Sequence, residues 1–274
     1  MDNAEINRTL VHSDIKYKKI TIPSYLEFVI NASEDKVRTK QLLEGSPFTE
    51  WPPGMPMVPY PELVFIGVSP GNSPAENQGP DSDESGNMIE YVSYSSEVIP
   101  KNSFFYYPDS MHYWEKLRYF AHQYFLQKNP DITEGEALSR SAHLNLGTGS
   151  AGSASPDAVE KDVVNWVSKL LNTQICPKLV VMFGLKSIIK KKASWWNHED
   201  GLHINWNRPD RRITFPVKNK NYSYEEWRSR SGNNNTFNVV LWPNHPSRYP
   251  LTDFEIWRRS VDDYLRNSSS GSDY

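Results

Sequence analysis

Phe237-Asn238-Val239-Val240-Leu241-Trp242-Pro243-Asn244-His245-Pro246-Ser247 is the stretch on which the reading of this chain turns. The apolar run from Phe237 to Trp242 predicts a buried strand. Thr252-Asp253-Phe254-Glu255 then has the pattern of a capping box that opens a helix, with Phe254, Trp257, Val261, Tyr264 and Leu265 on one face. A histidine leaving a strand end on a Pro-Ser turn is well placed for catalysis. Alone, such a histidine is more often structural. It gains interest from what the other strand ends carry.

Working back toward the N-terminus, strands and helices alternate. Leu179 to Phe183 predicts a strand closed by Gly184, followed by a short helix ending in Lys190-Lys191-Lys192. Before it, Ser155-Pro156-Asp157 reads as a helix start, and Val159, Val163, Trp166, Val167, Leu170 and Leu171 recur at helical spacing. Ala142 to Leu146 is a weaker strand ended by the Gly-rich Gly147 to Gly152. A helix is expected from Ser110 to Gln127, with Trp114, Leu117, Ala121, Tyr124 and Phe125 on one face, and a buried strand over Leu63 to Ile66, closed by Gly67. Parallel strands need crossover connections, so this alternation implies a mostly parallel sheet with helices on both faces. The expected architecture is a three-layer α/β/α sandwich around a central, mostly parallel four-stranded sheet.

The remaining stretches read as elaborations. Residues 1–60 are expected to form a helical or irregular N-terminal layer, and residues 61–266 the main domain, with insertions at 72–108 and 193–235. The first insertion reads as a long polar loop with a mobile acidic centre from Asn77 to Asn87, and residues 267–274 as a disordered tail.

The 274 residues suffice to bury a substantial core, and 38% of them are hydrophobic. Nine Trp, fifteen Tyr and eleven Phe suit a protein that grips something flat, although any one ring is as readily core material. A net charge of −3 advertises no polyanion partner. The distribution is less neutral: from Lys186 to Arg230 there are eleven Lys/Arg against five Asp/Glu, which is either a local phosphate-binding face or a solvated loop. Cys176 is the only cysteine, excluding an intramolecular disulfide and cysteine-rich metal sites, and its apolar neighbours predict a buried thiol. The polar N-terminus reads as no secretory signal, no stretch is long enough to span a membrane, and a cytoplasmic protein is expected.

Ligands of an open parallel sheet bind at the carboxyl ends of its strands. Here those ends carry Gly67-Val68-Ser69-Pro70-Gly71-Asn72, then Asn145, then Gly184, then Asn244-His245-Pro246-Ser247. The expected topology therefore gathers Ser69, Asn145 and His245 on one edge.

At these residues the chain resembles the uracil-DNA glycosylase superfamily. Gly67-Val68-Ser69-Pro70-Gly71 is similar to its first motif, and His245-Pro246-Ser247 to its second. Arg248-Tyr249-Pro250 looks like the wedge segment of the single-strand-selective branch. The order from His143-Leu144-Asn145 through Pro156 to Gly184 also follows the family, so the likeness covers residues 61–265 with gaps at the two insertions.

The resemblance implies a monofunctional DNA glycosylase that flips a nucleotide and hydrolyses its N-glycosidic bond, leaving an abasic site. His245 would donate a hydrogen bond to the base oxygen that gathers charge, and Asn145 would read the base edge. Base binding would also involve Val68 and a stacking ring, Phe105 or Tyr106. Gly71, Asn72 and Ser247 would hold phosphates, Arg248 and Tyr249 would fill the gap in the duplex, and Lys190 and Lys191 would follow the backbone, with Trp195, Trp196 or Trp206 as further stacking candidates. Ser69 stands where many relatives place Asp or Asn to position the attacking water; the alternatives are the downstream acids Glu76, Asp81 and Asp83.

Some relatives excise modified pyrimidines from phage DNA in bacterial defence, and the two insertions would enlarge the pocket for such a base. Plain uracil excision in base-excision repair is the conservative alternative. A catalytically inactive binder of DNA or a modified nucleotide is another. A doubly wound nucleotide-binding domain is weaker, because Gly67 to Gly71 matches neither a Walker loop nor the dinucleotide fingerprint. The implied partner is DNA, with no membrane, no cofactor, no metal and a monomeric state.

Overall fold

The structure is a computed structural model that describes residues 16–21, 61–68, 88–94, 97–100, 112–146, 159–172, 176–217, 220–229, 236–246 and 250–269. A six-stranded sheet has the order β5-β2-β6-β9-β8-β7. Its strands are β2 (Leu63–Gly67), β5 (Ser141–Asn145), β6 (Leu179–Phe183), β7 (Arg211–Val217), β8 (Lys220–Arg228) and β9 (Asn238–Trp242). The first four in that spatial order run parallel; β8 and β7 continue the sheet antiparallel. β1 (Lys16–Thr21), β3 (Met88–Tyr94) and β4 (Glu97–Pro100) form a separate three-stranded antiparallel sheet.

Mixed α/β character and a parallel strand set thus agree with expectation, but the sheet has six strands, not four. The difference is the stretch read as an insertion at 193–235, whose residues 211–217 and 220–228 pair antiparallel, the second strand hydrogen-bonding to β9. Residues 88–94 and 97–100, read as part of a polar loop, form β3 and β4, and residues 16–21 of the N-terminal layer are a strand pairing with β3. Residues 77–87 lie outside the described residues.

The helices among the described residues are α1 (His112–Leu126), α2 (Glu134–Ser139), α3 (Lys161–Leu170), α4 (Lys186–Lys191), α5 (Ala193–Trp196) and α6 (Phe254–Ser269). Strand pleating sends successive side chains to opposite faces, and here the two sets enter different apolar clusters. Val64, Ile66, Leu144, Val180, Met182, Val239 and Leu241 pack with Val163, Val167 and Leu170 of α3 and Ile188 and Ile189 of α4. Leu63, Phe65, Leu179, Val181, Phe183, Val240 and Trp242 pack with Leu117, Phe120 and Phe125 of α1 and Trp257, Val261 and Tyr264 of α6. The second cluster is rich in aromatic rings; the Trp242 ring lies 5.3 Å from Phe120, 4.4 Å from Tyr224 and 5.4 Å from Trp257.

This division of helices follows from the strand order. The chain moves from β2 outward to β5, then crosses back over β2 to reach β6. Parallel crossovers keep one hand, so reversing direction along the sheet puts α1 and α3 on opposite faces. The carboxyl ends of β2 and β6 thereby flank the point where the order reverses, which is where open sheets leave a crevice for ligands.

Local chemistry sets several boundaries. Thr133 and Glu136 form a reciprocal capping box before α2: the Glu136 amide donates to Thr133 Oγ1 (3.2 Å) and the Thr133 amide to Glu136 Oε2 (2.9 Å). At α6 the cap is Asp253 rather than Thr252, because Asp253 Oδ1 accepts from the amides of Glu255 (3.0 Å) and Ile256 (3.3 Å). Helix α6 continues to Ser269, into the stretch expected to be a disordered tail. Cys176 is half-buried, not buried, and its Sγ donates to the Asn172 carbonyl. Among the described residues no helix is long and apolar enough to cross a membrane.

Candidate active site at the carboxyl edge of the parallel strands

Strand register decides which residues share an edge. Gly67 is level with Asn145, Ile66 with Met182, and Phe183 with Trp242. The carboxyl ends of β5, β2, β6 and β9 therefore form one line across the sheet, and each strand stops there. Asn145 lies at its end of that line, and His245 follows three residues after Trp242 at the other.

Hydrogen bonds bind this edge together. The amide of Leu146 donates to the carbonyls of Gly67 (3.2 Å) and Val68 (3.0 Å), while Leu146 in turn accepts from Glu160, the residue before α3. The turn after β5 is thus tied both to the turn after β2 and to the start of the following helix.

Gly184 performs the same service between β6 and β9. Its φ of +65° is the left-handed region that a Cβ disfavours. A Cβ built there would lie 3.4 Å from both Cβ and the backbone N of His245. Glycine thus lets the turn after β6 bend back while the His245 backbone comes into contact. The half-buried His245 ring sits 6.5 Å from the Phe183 ring at 80°, an edge-on arrangement.

The turn beyond His245 is held from the opposite side. Pro246 is buried, and its carbonyl accepts from Lys116 Nζ of α1 at 2.8 Å. The same ammonium donates to the carbonyls of Leu251 and of Thr252 (3.1 Å). Lys116 is 1% exposed. Burial pushes its pKa below the usual lysine range, against the opposing influence of Glu115 and Asp253. Sequence reading missed this residue. The available signal was spacing: Lys116 falls one and two turns before the buried Phe120 and Tyr124, on an apolar stripe where a lysine is out of place.

A second group that sequence reading missed is Glu225. It lies on β8 opposite Leu241 and Arg212, 1% exposed, with Lys186 Nζ at 2.7 Å, Arg212 Nη2 at 2.8 Å and Lys190 Nζ at 3.4 Å. Burial alone would raise its carboxyl pKa, but Lys186, hydrogen-bonded to it, together with Lys190 and Arg212 holds the group below the usual carboxylate range. Part of the basic character of 186–230 is thus spent on a buried acid. Lys190 and Lys191, both expected to follow a DNA backbone, are both exposed at the end of α4, and Lys190 also pairs with Glu225.

The remaining expected site residues divide clearly. The Val68 side chain is buried in the core cluster. Trp196 and Trp206 are also core, 6.0 Å apart, which corrects their reading as stacking platforms for bases. Trp195 is half-buried with Lys192 Nζ 4.1 Å over its ring. For Asn145 the backbone position alone is described. Ser69, Gly71, Asn72, Phe105, Tyr106, Ser247, Arg248 and Tyr249 lie outside the described residues, as do Glu76, Asp81 and Asp83.

What this edge offers chemically is an imidazole held against Gly184 at one end of a line of strand ends whose other end is Asn145. No protein-family model matches the chain, and neither a curated protein nor a solved structure matches it.

Proposed function

We propose that this chain is a monofunctional DNA glycosylase acting on a modified pyrimidine. The observation that carries the reading is the packing of His245 against Gly184 at the edge that also ends β2 and β5. It supports bringing the two sequence motifs and Asn145 to the crevice where the strand order reverses. A three-layer sandwich of the uracil-DNA glycosylase kind, with the β8–β7 pair appended, belongs to the same proposal.

In this reading the flipped nucleotide enters the crevice between the ends of β2 and β6. The bond between C1′ and the base nitrogen breaks, its electron pair leaves with the base, and a water oxygen bonds to C1′. His245 donates a hydrogen bond to the base oxygen as negative charge gathers there. Asn145 reads the base edge and Ser69 positions the water, which passes its proton to solvent or phosphate. Phe105 or Tyr106 stacks on the base. Gly71, Asn72 and Ser247 hold phosphates, Arg248 and Tyr249 occupy the gap in the duplex, and Lys190 and Lys191 follow the backbone. The protein works on DNA as a monomer in the cytoplasm, in defence against phage DNA.

The test is mass analysis of bases released from a panel of uracil-containing and modified-pyrimidine DNAs. Release of a modified pyrimidine is expected. Efficient release of uracil with modified DNA left intact would overturn the substrate assignment, and release of no base from any member would overturn the enzyme reading.

A further inference from the structure

We propose that Lys116 is a positioning residue that clasps the loop after His245 and sets where the imidazole stands. The kinetic arm of this inference rests on the glycosylase reading; its structural arm does not. One ammonium gathers three backbone carbonyls from both ends of a seven-residue stretch, Pro246 at one end and Leu251 and Thr252 at the other. An ammonium has three donors and no acceptor, so this arrangement uses its full hydrogen-bonding capacity. The loop between those carbonyls carries Ser247-Arg248-Tyr249, and the residue just before it is His245.

The clasp is anchored on its own side as well. The backbone carbonyl of Lys116 accepts from Trp257 Nε1 of α6 at 2.9 Å. Residue 116 therefore holds the loop through its side chain and the following helix through its main chain. Asp253 caps that helix where the loop ends.

Energetics favour a role beyond packing. Burying an ammonium is costly, and a well-packed apolar side chain is often as good or better where only packing is needed. A leucine or methionine here would fill space but leave three carbonyls of the loop without this donor. Gly184 touches His245 from the β6 side, so the backbone at His245 and Pro246 lies between that contact and the clasp.

Lys116→Met keeps the bulk of the stem and removes every donor. The expected result is a fall in kcat of about 10²-fold, the scale of a small misplacement of catalytic groups. KM should rise by less than kcat falls, because the groups proposed to contact base and phosphate are displaced and not removed. Hydrogen exchange should accelerate in a peptide spanning 243–253 and stay unchanged over β6. Unchanged exchange and unchanged kcat would overturn the proposal, as would a uniform loss of protection with no local excess. If the variant does not fold, the parent protein decides: a clasped ammonium gives a resolved, slowly exchanging Nζ resonance for Lys116 at neutral pH, and a solvent-averaged one overturns the clasp. Absence of base release from the parent would sink the glycosylase reading while leaving the exchange and resonance measurements as tests of the clasp.

Discussion

The four parallel strands and the antiparallel pair beside them belong to one sheet but handle charge in opposite ways. Every residue of β2 and β6 is buried, and none is charged. β8 carries Glu225 and Glu226 in succession, and β7 alternates between exposed and covered residues. Neighbours on a strand face opposite ways, and these two glutamates meet different surroundings. Glu225 is held below the usual carboxylate range by three cations that outweigh its burial. Burial raises the pKa of Glu226, against the pull of the Tyr264 hydroxyl at 2.9 Å and of Arg211. The uncharged half thus builds the edge that carries the candidate site, and the charged half buries one carboxylate among three cations.

Replacing a residue of each half separates them most strongly in stability. Trp242→Ala, in the aromatic core of the parallel half, should cost about 3–5 kcal/mol in denaturant unfolding. Ile213→Ala, half-buried on the outermost strand β7, should cost under about 1.5 kcal/mol. Equal losses would mean that the hairpin is as much core as the strands it extends.

Next comes acid stability. A carboxyl whose folded pKa lies below its unfolded value contributes stability above the unfolded pKa, and this is lost as pH falls through the folded pKa. Glu225 is such a group, so its contribution is complete above the ordinary glutamate range and fades below it. Glu225→Gln should therefore be destabilised at neutral pH, by about 1–3 kcal/mol, and should lose less on acidification than the parent. Glu226 has the opposite sign, its folded pKa being raised, so its titration lowers stability as pH rises through that window. Parallel pH profiles for parent and Glu225→Gln would refute the ion cluster.

Smaller still is the effect at the junction of β6 and the His245 turn. Gly184→Ala places a Cβ in the left-handed region, which costs about 1–2 kcal/mol. It also meets His245 at 3.4 Å, so base release should fall by more than the stability change explains. Stability loss with unaltered turnover would separate Gly184 from the site.

Legibility in the sequence followed the same division. Leu63–Gly67, Leu179–Phe183 and the run ending at Trp242 were readable because residues buried on both faces are continuously apolar. The β7–β8 hairpin was not: Arg211, Arg212, Lys220, Glu225 and Glu226 look like a solvated basic segment until the register shows which charges meet. His245 and Gly184 were visible as turn chemistry at strand ends. Lys116 was hidden because its partners are backbone carbonyls 130 or more residues away, which leave no side-chain pattern. The tryptophans misled for a related reason, since composition counts rings without saying that Trp196 and Trp206 face inward.

The central claim is that His245 stabilises the leaving base at this edge. Its most direct measurement is single-turnover base release by His245→Ala beside the parent, on whichever DNA the parent cleaves. A fall of about 10²–10³-fold with substrate binding retained is predicted, the scale of one lost hydrogen-bond donor to developing charge. Undiminished release by the variant would contradict the account.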